Sequence, residues 1–148
     1  MNENLKELEE VITNNLLVVS NLRNEVEQKE LEKQDQVREI ALSIIDILDS
    51  FERIEEGLNE KGLDKSDEAV KIITRYKSVE KKLLNLLQKH GITKVEFPDN
   101  RLIVGLCEVV DTETDSTRKN DEIVSIVRNG FIRGKIVIRP AQIVVVKN

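Results

Sequence analysis

Few side chains in this 148-residue chain are of types that perform catalysis, and their spacing keeps them apart. His90, the one histidine, lies between Lys89 and Gly91 in a pattern that ends helices, where imidazole has a structural or solvated role. Cys107, the one cysteine, falls in an apolar strand-like stretch typical of an inert buried thiol, and alone it forms neither an internal disulfide nor a multi-thiolate metal site. Asp46, Asp49 and Glu52 share a helix neighbourhood but have no imidazole or thiolate beside them, so a solvated acidic face is expected. Arg133-Gly134-Lys135 resembles a fragment of a phosphate-binding turn without the phosphate-loop spacing. The expectation is a protein that is not an enzyme, with no catalytic residues, no cofactor and no metal site.

The elements that carry these residues divide near Gly91. Residues 1–90 hold 20 acids, 14 bases and two glycines, whereas 91–148 hold 8 acids, 9 bases, four glycines and both prolines. The net charge of −5 therefore resolves into −6 and +1, which argues against nucleic acid and leads us to expect a nearly neutral C-terminal unit with little charge bias. The acidic N-terminus lacks the pattern of a secretory leader, and no apolar stretch reaches membrane-spanning length, so a cytoplasmic protein with no membrane partner is expected. Only four aromatic residues are present, too few for a large aromatic core.

In the first part Leu5, Leu8, Ile12, Asn15, Val19, Leu22 and Val26 alternate by three and four, placing one seam along a helix. An eleven-residue step leads to Val37, after which Ile40, Ile44, Ile47, Phe51, Ile54 and Leu58 resume the alternation. The polar stretch from Glu27 to Gln36 is expected to be the weakest section. No proline interrupts residues 1–60, and a continuous helix there is roughly 90 Å long at 1.5 Å per residue. A helix of that length cannot bury its own seam, so a homodimer is expected, with Leu8, Ile12, Val19, Leu22, Val26, Val37, Ile40, Ile44, Ile47 and Phe51 at its interface. Asn15 is either a register-setting polar residue or a tolerated one.

Between Ile40 and Leu58 the stripe widens, because Ala41, Ile45 and Leu48 join it, which implies contact with further helices. Ser66 can cap a second helix that ends at Lys89, His90 and Gly91. Two such hairpins make a short four-helix bundle. Beyond Gly91, strands are expected at Ile92–Phe97, Leu102–Val110, Ile123–Val127, Phe131–Ile138 and Ile143–Val146, with the polar run Asp111–Asp121 between two of them. Asn129-Gly130 reads as a turn or bulge because both residues tolerate positive φ. The fold class is α+β: a long coiled-coil helix over 1–38, a helical hairpin forming a dimeric four-helix bundle over 39–91, and a small all-β domain over 92–148.

This order of elements resembles the GrpE family, the nucleotide exchange factors of the DnaK chaperone. The resemblance rests on four stretches. Ile123–Val127, Gly130-Phe131 and Ile138-Arg139-Pro140-Ala141 through Lys147 match the family's C-terminal signature. Ile44-Ile45-Asp46-Ile47-Leu48-Asp49-Ser50-Phe51-Glu52-Arg53 with Leu58 matches a bundle helix, Leu87-Gln88-Lys89-His90-Gly91-Ile92 the junction after it, and Asn21-Leu22-Arg23 the long helix. Departures fall at Arg75, where the family has a glycine, at Ile136, where it has an arginine, and at Phe97–Asn100, which no histidine follows. The resemblance implies a dimeric co-chaperone that binds the nucleotide-binding domain of DnaK and promotes ADP release. It further implies partner contact by Arg23, Gly130, Phe131, Lys135, Arg139 and Val145, although structural roles in the core or turn fit Gly130, Phe131, Arg139 and Val145 equally well. A dimeric coiled-coil scaffold presenting its β unit to another protein is the alternative from a different class.

Overall fold

A computed structural model describes residues 2–148. Two helices precede six strands: α1 (Asn2–Glu60), α2 (Asp67–Lys89), β1 (Ile92–Lys94), β2 (Cys107–Glu113), β3 (Ile123–Arg128), β4 (Phe131–Arg133), β5 (Ile136–Arg139) and β6 (Ala141–Val146). The chain divides into two compact units, one ending at Glu39 and the other comprising Ile40–Asn148. The α+β class with a long N-terminal helix and a small all-β C-terminal part is thus observed.

In the first unit the helix leaves its apolar side chains in solvent. Leu8, Ile12, Val19, Leu22 and Val26 are all exposed. In the second unit the continuation of α1 buries Ala41, Ile45 and Leu48, the residues that widen the stripe, while Ile40 and Ile47 remain exposed and Ile44 and Phe51 are half-buried. Between α1 and α2 the Phe51 and Tyr76 rings stack at 5.7 Å, and Lys77 pairs with Glu55 at 2.7 Å. Local chemistry sets the limits of α2. The Ser66 hydroxyl accepts the Ala69 N–H at 3.1 Å, and at the other end Gly91 takes φ +75°, the left-handed conformation that a C-terminal glycine supplies without strain.

The strands form two three-stranded sheets. The first has the order β1-β4-β5, all antiparallel; the second has the order β2-β6-β3, with β2 parallel and β3 antiparallel to β6. Pro140 alone separates β5 of one sheet from β6 of the other, and its missing N–H asks for no partner at this corner. Strand β6 is central and nearly all buried. Ala141, Ile143 and Val145 with Ile123 form a core cluster against which Phe97, Leu102 and Cys107 pack.

Several expected strand limits shift. The stretch expected as a strand from Leu102 begins as a turn, where Gly105 has φ +87° and the Leu106 N–H donates to the Ile103 carbonyl at 3.2 Å. β2 starts only at Cys107 and runs through Asp111 to Glu113, so half-polar residues expected in a loop pair with Val144–Val146 instead. Cys107 is half-buried rather than deep in a strand, and its thiol donates to the Ile103 carbonyl at 3.2 Å. The strand expected over Phe131–Ile138 is a hairpin. Arg133 pairs with Ile136 across Gly134-Lys135, and Gly134 at φ +59° provides the first residue of a two-residue turn. Arg133-Gly134-Lys135 is accordingly a hairpin tip.

Candidate functional site

Of the three acids of α1 expected to be solvated, Asp46 is exposed while Asp49 and Glu52 are half-buried, and all three bond side chains of the β unit. Asp46, Asp49 and Glu52 recur every three residues and so share one helix face. Arg139, at the end of β5, meets Asp49 with two nitrogens, Nη1–Oδ2 at 2.6 Å and Nη2–Oδ1 at 2.9 Å, a bidentate pair. Its Nε and Nη2 also donate to the Asn129 carbonyl, at 3.0 and 2.6 Å, and its guanidinium lies 5.7 Å from the Phe131 ring centre. Arg128, at the end of β3, reaches Asp49 at 3.1 Å and Asp46 at 3.3 Å. Asn129 donates to Glu52 at 2.6 Å, and Lys94 of β1 lies 3.7 Å from the same carboxylate. Strands of both sheets thereby hold one helical face.

Arg139 is only 8% exposed, so its charge depends on these partners. Burial raises the pKa of the Asp49 carboxyl, but hydrogen bonds from Arg139 and Arg128 and their positive charges outweigh it and hold the group below the usual carboxylate range. Asp46, Asp49, Ser50, Glu52, Arg53, Glu56, Val127, Arg128 and Gln142 line a groove of about 540 Å³ along this seam.

The sequence could have signalled this arrangement. Residues 123–148 contain five bases and not one acid, so their arginines need acids from elsewhere in the chain. The β unit as a whole is near neutral, as expected, but its charges are unevenly placed. The first sheet and its hairpin carry Lys94, Arg133, Lys135 and Arg139 without an acid, whereas β2 of the second sheet carries Glu108, Asp111 and Glu113.

Gly130 also differs from expectation. Neither it nor Asn129 has positive φ. The glycine is required by contact, because a Cβ there would lie 2.4 Å from the Ala141 nitrogen and 3.0 Å from its Cα. This is the approach that brings β4 against the start of β6, and the Gly130 carbonyl accepts the Val95 N–H at 2.9 Å.

Among the residues expected to contact a partner, Arg23 and Lys135 are exposed. Phe131, Gly130, Arg139 and Val145 are buried: Phe131 and Val145 are core side chains, and Arg139 is occupied by the α1 latch. Of the expected dimer residues, Val37, Ile44 and Phe51 are half-buried and the rest are exposed. Among the described residues no group of His, Cys, Asp and Glu is placed to hold a metal ion, and no helix is long and apolar enough to cross a membrane.

A long helix whose exposed seam is followed by a two-sheet β unit, clamped by arginines to a helical acid triad, defines a helix-borne β module. The profile of the GrpE family matches residues 1–147, and the chain belongs to the GrpE family of co-chaperones. It is 29% identical to Protein GrpE 2 of Buchnera aphidicola subsp. Acyrthosiphon pisum (strain APS) over 149 residues, covering 99% of this chain and 76% of the relative. It is 27% identical to Protein GrpE of Wolbachia sp. subsp. Brugia malayi (strain TRS) over 111 residues, 75% of this chain and 57% of the relative. Protein GrpE of Alkaliphilus oremlandii (strain OhILAs) is also 27% identical, over 108 residues, 73% of this chain and 54% of the relative. The chain thus spans just over half the length of these last two.

Proposed function

We propose that this protein is a homodimeric nucleotide exchange factor that binds the nucleotide-binding domain of DnaK and promotes ADP release. The match to GrpE over residues 1–147 is the observation that carries this reading. No bond is made or broken in this role. The protein needs only to bind the open nucleotide cleft more tightly than the closed one, and a thousandfold bias corresponds to about 4 kcal/mol.

The dimer is supported by the exposed seam. With Ile12, Val19 and Val26 at one heptad position and Leu8 and Leu22 at the other, the pattern of β-branched and leucine residues favours two parallel strands. Val37, Ile40, Ile44, Ile47 and Phe51 continue the interface in this reading, which keeps the organisation of 1–38 as coiled coil, 39–91 as bundle and 92–148 as β domain. For the partner surface we assign direct contact to Lys135 at the hairpin tip and Arg23 on the helix. Phe131, Gly130, Arg139 and Val145 act beneath that surface, as positioning residues that fix the hairpin and the β5–β6 corner.

Calorimetric titration of the full-length chain into DnaK tests this reading. Linkage requires that the chain bind nucleotide-free DnaK more tightly than ADP-loaded DnaK, by the factor by which it weakens ADP. Equal affinity for the two forms contradicts the exchange reading and leaves a scaffold that binds without discriminating.

A further inference from the structure

The two edges of the second sheet are built differently. β2 carries Glu108, Asp111 and Glu113, charges that keep an exposed edge from pairing, whereas bulges occur in the pairing of both edge strands with β6. β3, the opposite edge, reads Ile123-Val124-Ser125-Ile126-Val127 before Arg128 turns to the α1 latch. It carries no charge over those five residues, and Ile126 and Val127 are 46% and 59% exposed.

Only the first residue of this edge is covered. The Ile123 N–H donates to the Asn100 carbonyl at 2.9 Å, and the Ile123 carbonyl accepts from Asn100 Nδ2 at 3.2 Å and Arg118 Nη2 at 2.8 Å. Beyond it, among the described residues, no further strand joins β3 on the side away from β6. Beside the edge runs a groove of about 480 Å³ lined by Val95, Phe97, Ile123 and Ile126, with Glu96 also in its wall. Glu96 forms no ion pair among the described residues.

We propose that the β3 edge and this groove bind an extended, apolar polypeptide segment bearing a basic residue, which adds to the second sheet as a fourth strand. Main-chain hydrogen bonds to β3 supply affinity for any extended chain, and side chains on one face of the added strand fill the groove. The Glu96 carboxylate selects the base, and the uncharged edge imposes no repulsion of its own. Polypeptide binding here is an activity of the chain itself, separate from nucleotide exchange and requiring no nucleotide.

The test uses the full-length chain and a short fluorescein-labelled peptide of alternating Leu and Thr ending in Lys, with a Glu-ended counterpart. Fluorescence anisotropy should show saturable binding that favours the Lys-ended peptide. Ile126→Lys, which puts a charge on the open edge at a half-exposed site, should weaken it about tenfold or more. Glu96→Lys, at an exposed position, should reverse the preference toward the Glu-ended peptide. The proposal is overturned by absent binding, by affinity that Ile126→Lys leaves unchanged, or by an unaltered end preference in Glu96→Lys. It is also overturned if no peptide binds and Ile126→Lys abolishes a self-association seen by sedimentation, which assigns the edge to a second copy.

Discussion

The first and second stretches of α1 follow the same apolar spacing yet complete it differently. Up to Val26 every seam side chain stays exposed, and nothing within that unit buries it. From Ile40 onward the neighbouring stripe of Ala41, Ile45 and Leu48 is buried inside the unit, and Asp46 and Asp49 beside it are bonded to strands from the far end of the chain. Periodicity alone therefore establishes that a helix has an apolar face. Which helix residues beside that face are engaged by the chain's own strands depends on groups remote in sequence, here Arg128 and Arg139 at Asp46 and Asp49.

Loss of the seam should have the largest effect. Val19→Lys combined with Leu22→Lys should raise the dissociation constant of the dimer by a thousandfold or more, about 4 kcal/mol, in sedimentation equilibrium, while the near-ultraviolet signal of Phe51 and Tyr76 stays as in the parent. A dimer of unchanged affinity would show that the first stretch of α1 does not contribute the interface.

Gly130→Ala acts on the second unit alone. Its Cβ would meet the Ala141 backbone at 2.4 Å, and backbone cannot swing aside, so denaturant titration should show a loss of roughly 3 kcal/mol. Helicity of the first unit should remain. Asp49→Asn should cost somewhat less, about 2 kcal/mol, because the amide retains one hydrogen bond while Arg139 loses its counter-charge. If this variant unfolds at the same denaturant concentration as the parent, the latch is not a source of stability.

The smallest effect is the pH dependence of that latch. Asp49 has a folded pKa below its unfolded value near 3.8, so its contribution is complete above that value and is lost as pH falls through the folded pKa. Stability of the second unit should decline from about pH 4 downward more steeply in the parent than in Asp49→Asn, as followed by thermal melts. Identical acid slopes would assign the decline to other carboxylates.

Much of the helical half was legible in the residues. The seam, the Ser66 cap and the Gly91 terminus depend on neighbours within a few positions, which sequence displays directly. The β half was legible as strands and turns but not in its pairings. The parallel placement of β2 beside β6 drew Asp111-Thr112-Glu113 into the sheet despite their polarity, because an edge strand open to solvent tolerates them. Gly130 was noticed for the wrong property, since its need is space against Ala141, a residue eleven positions away. The acid triad was visible, but its hydrogen-bonding partners lie 77 to 90 residues downstream, and only the acid-free run from 123 to 148 hinted at them. Arg139 and Phe131, conspicuous as a motif, are buried within the chain, whereas the nearby Lys135 is exposed.

Stopped-flow release of a fluorescent ADP from the DnaK of the same organism tests the proposed exchange activity most directly. With full-length protein in excess the release rate should rise by at least two orders of magnitude and saturate with protein concentration. A release rate that full-length protein leaves unchanged at every concentration would contradict the account.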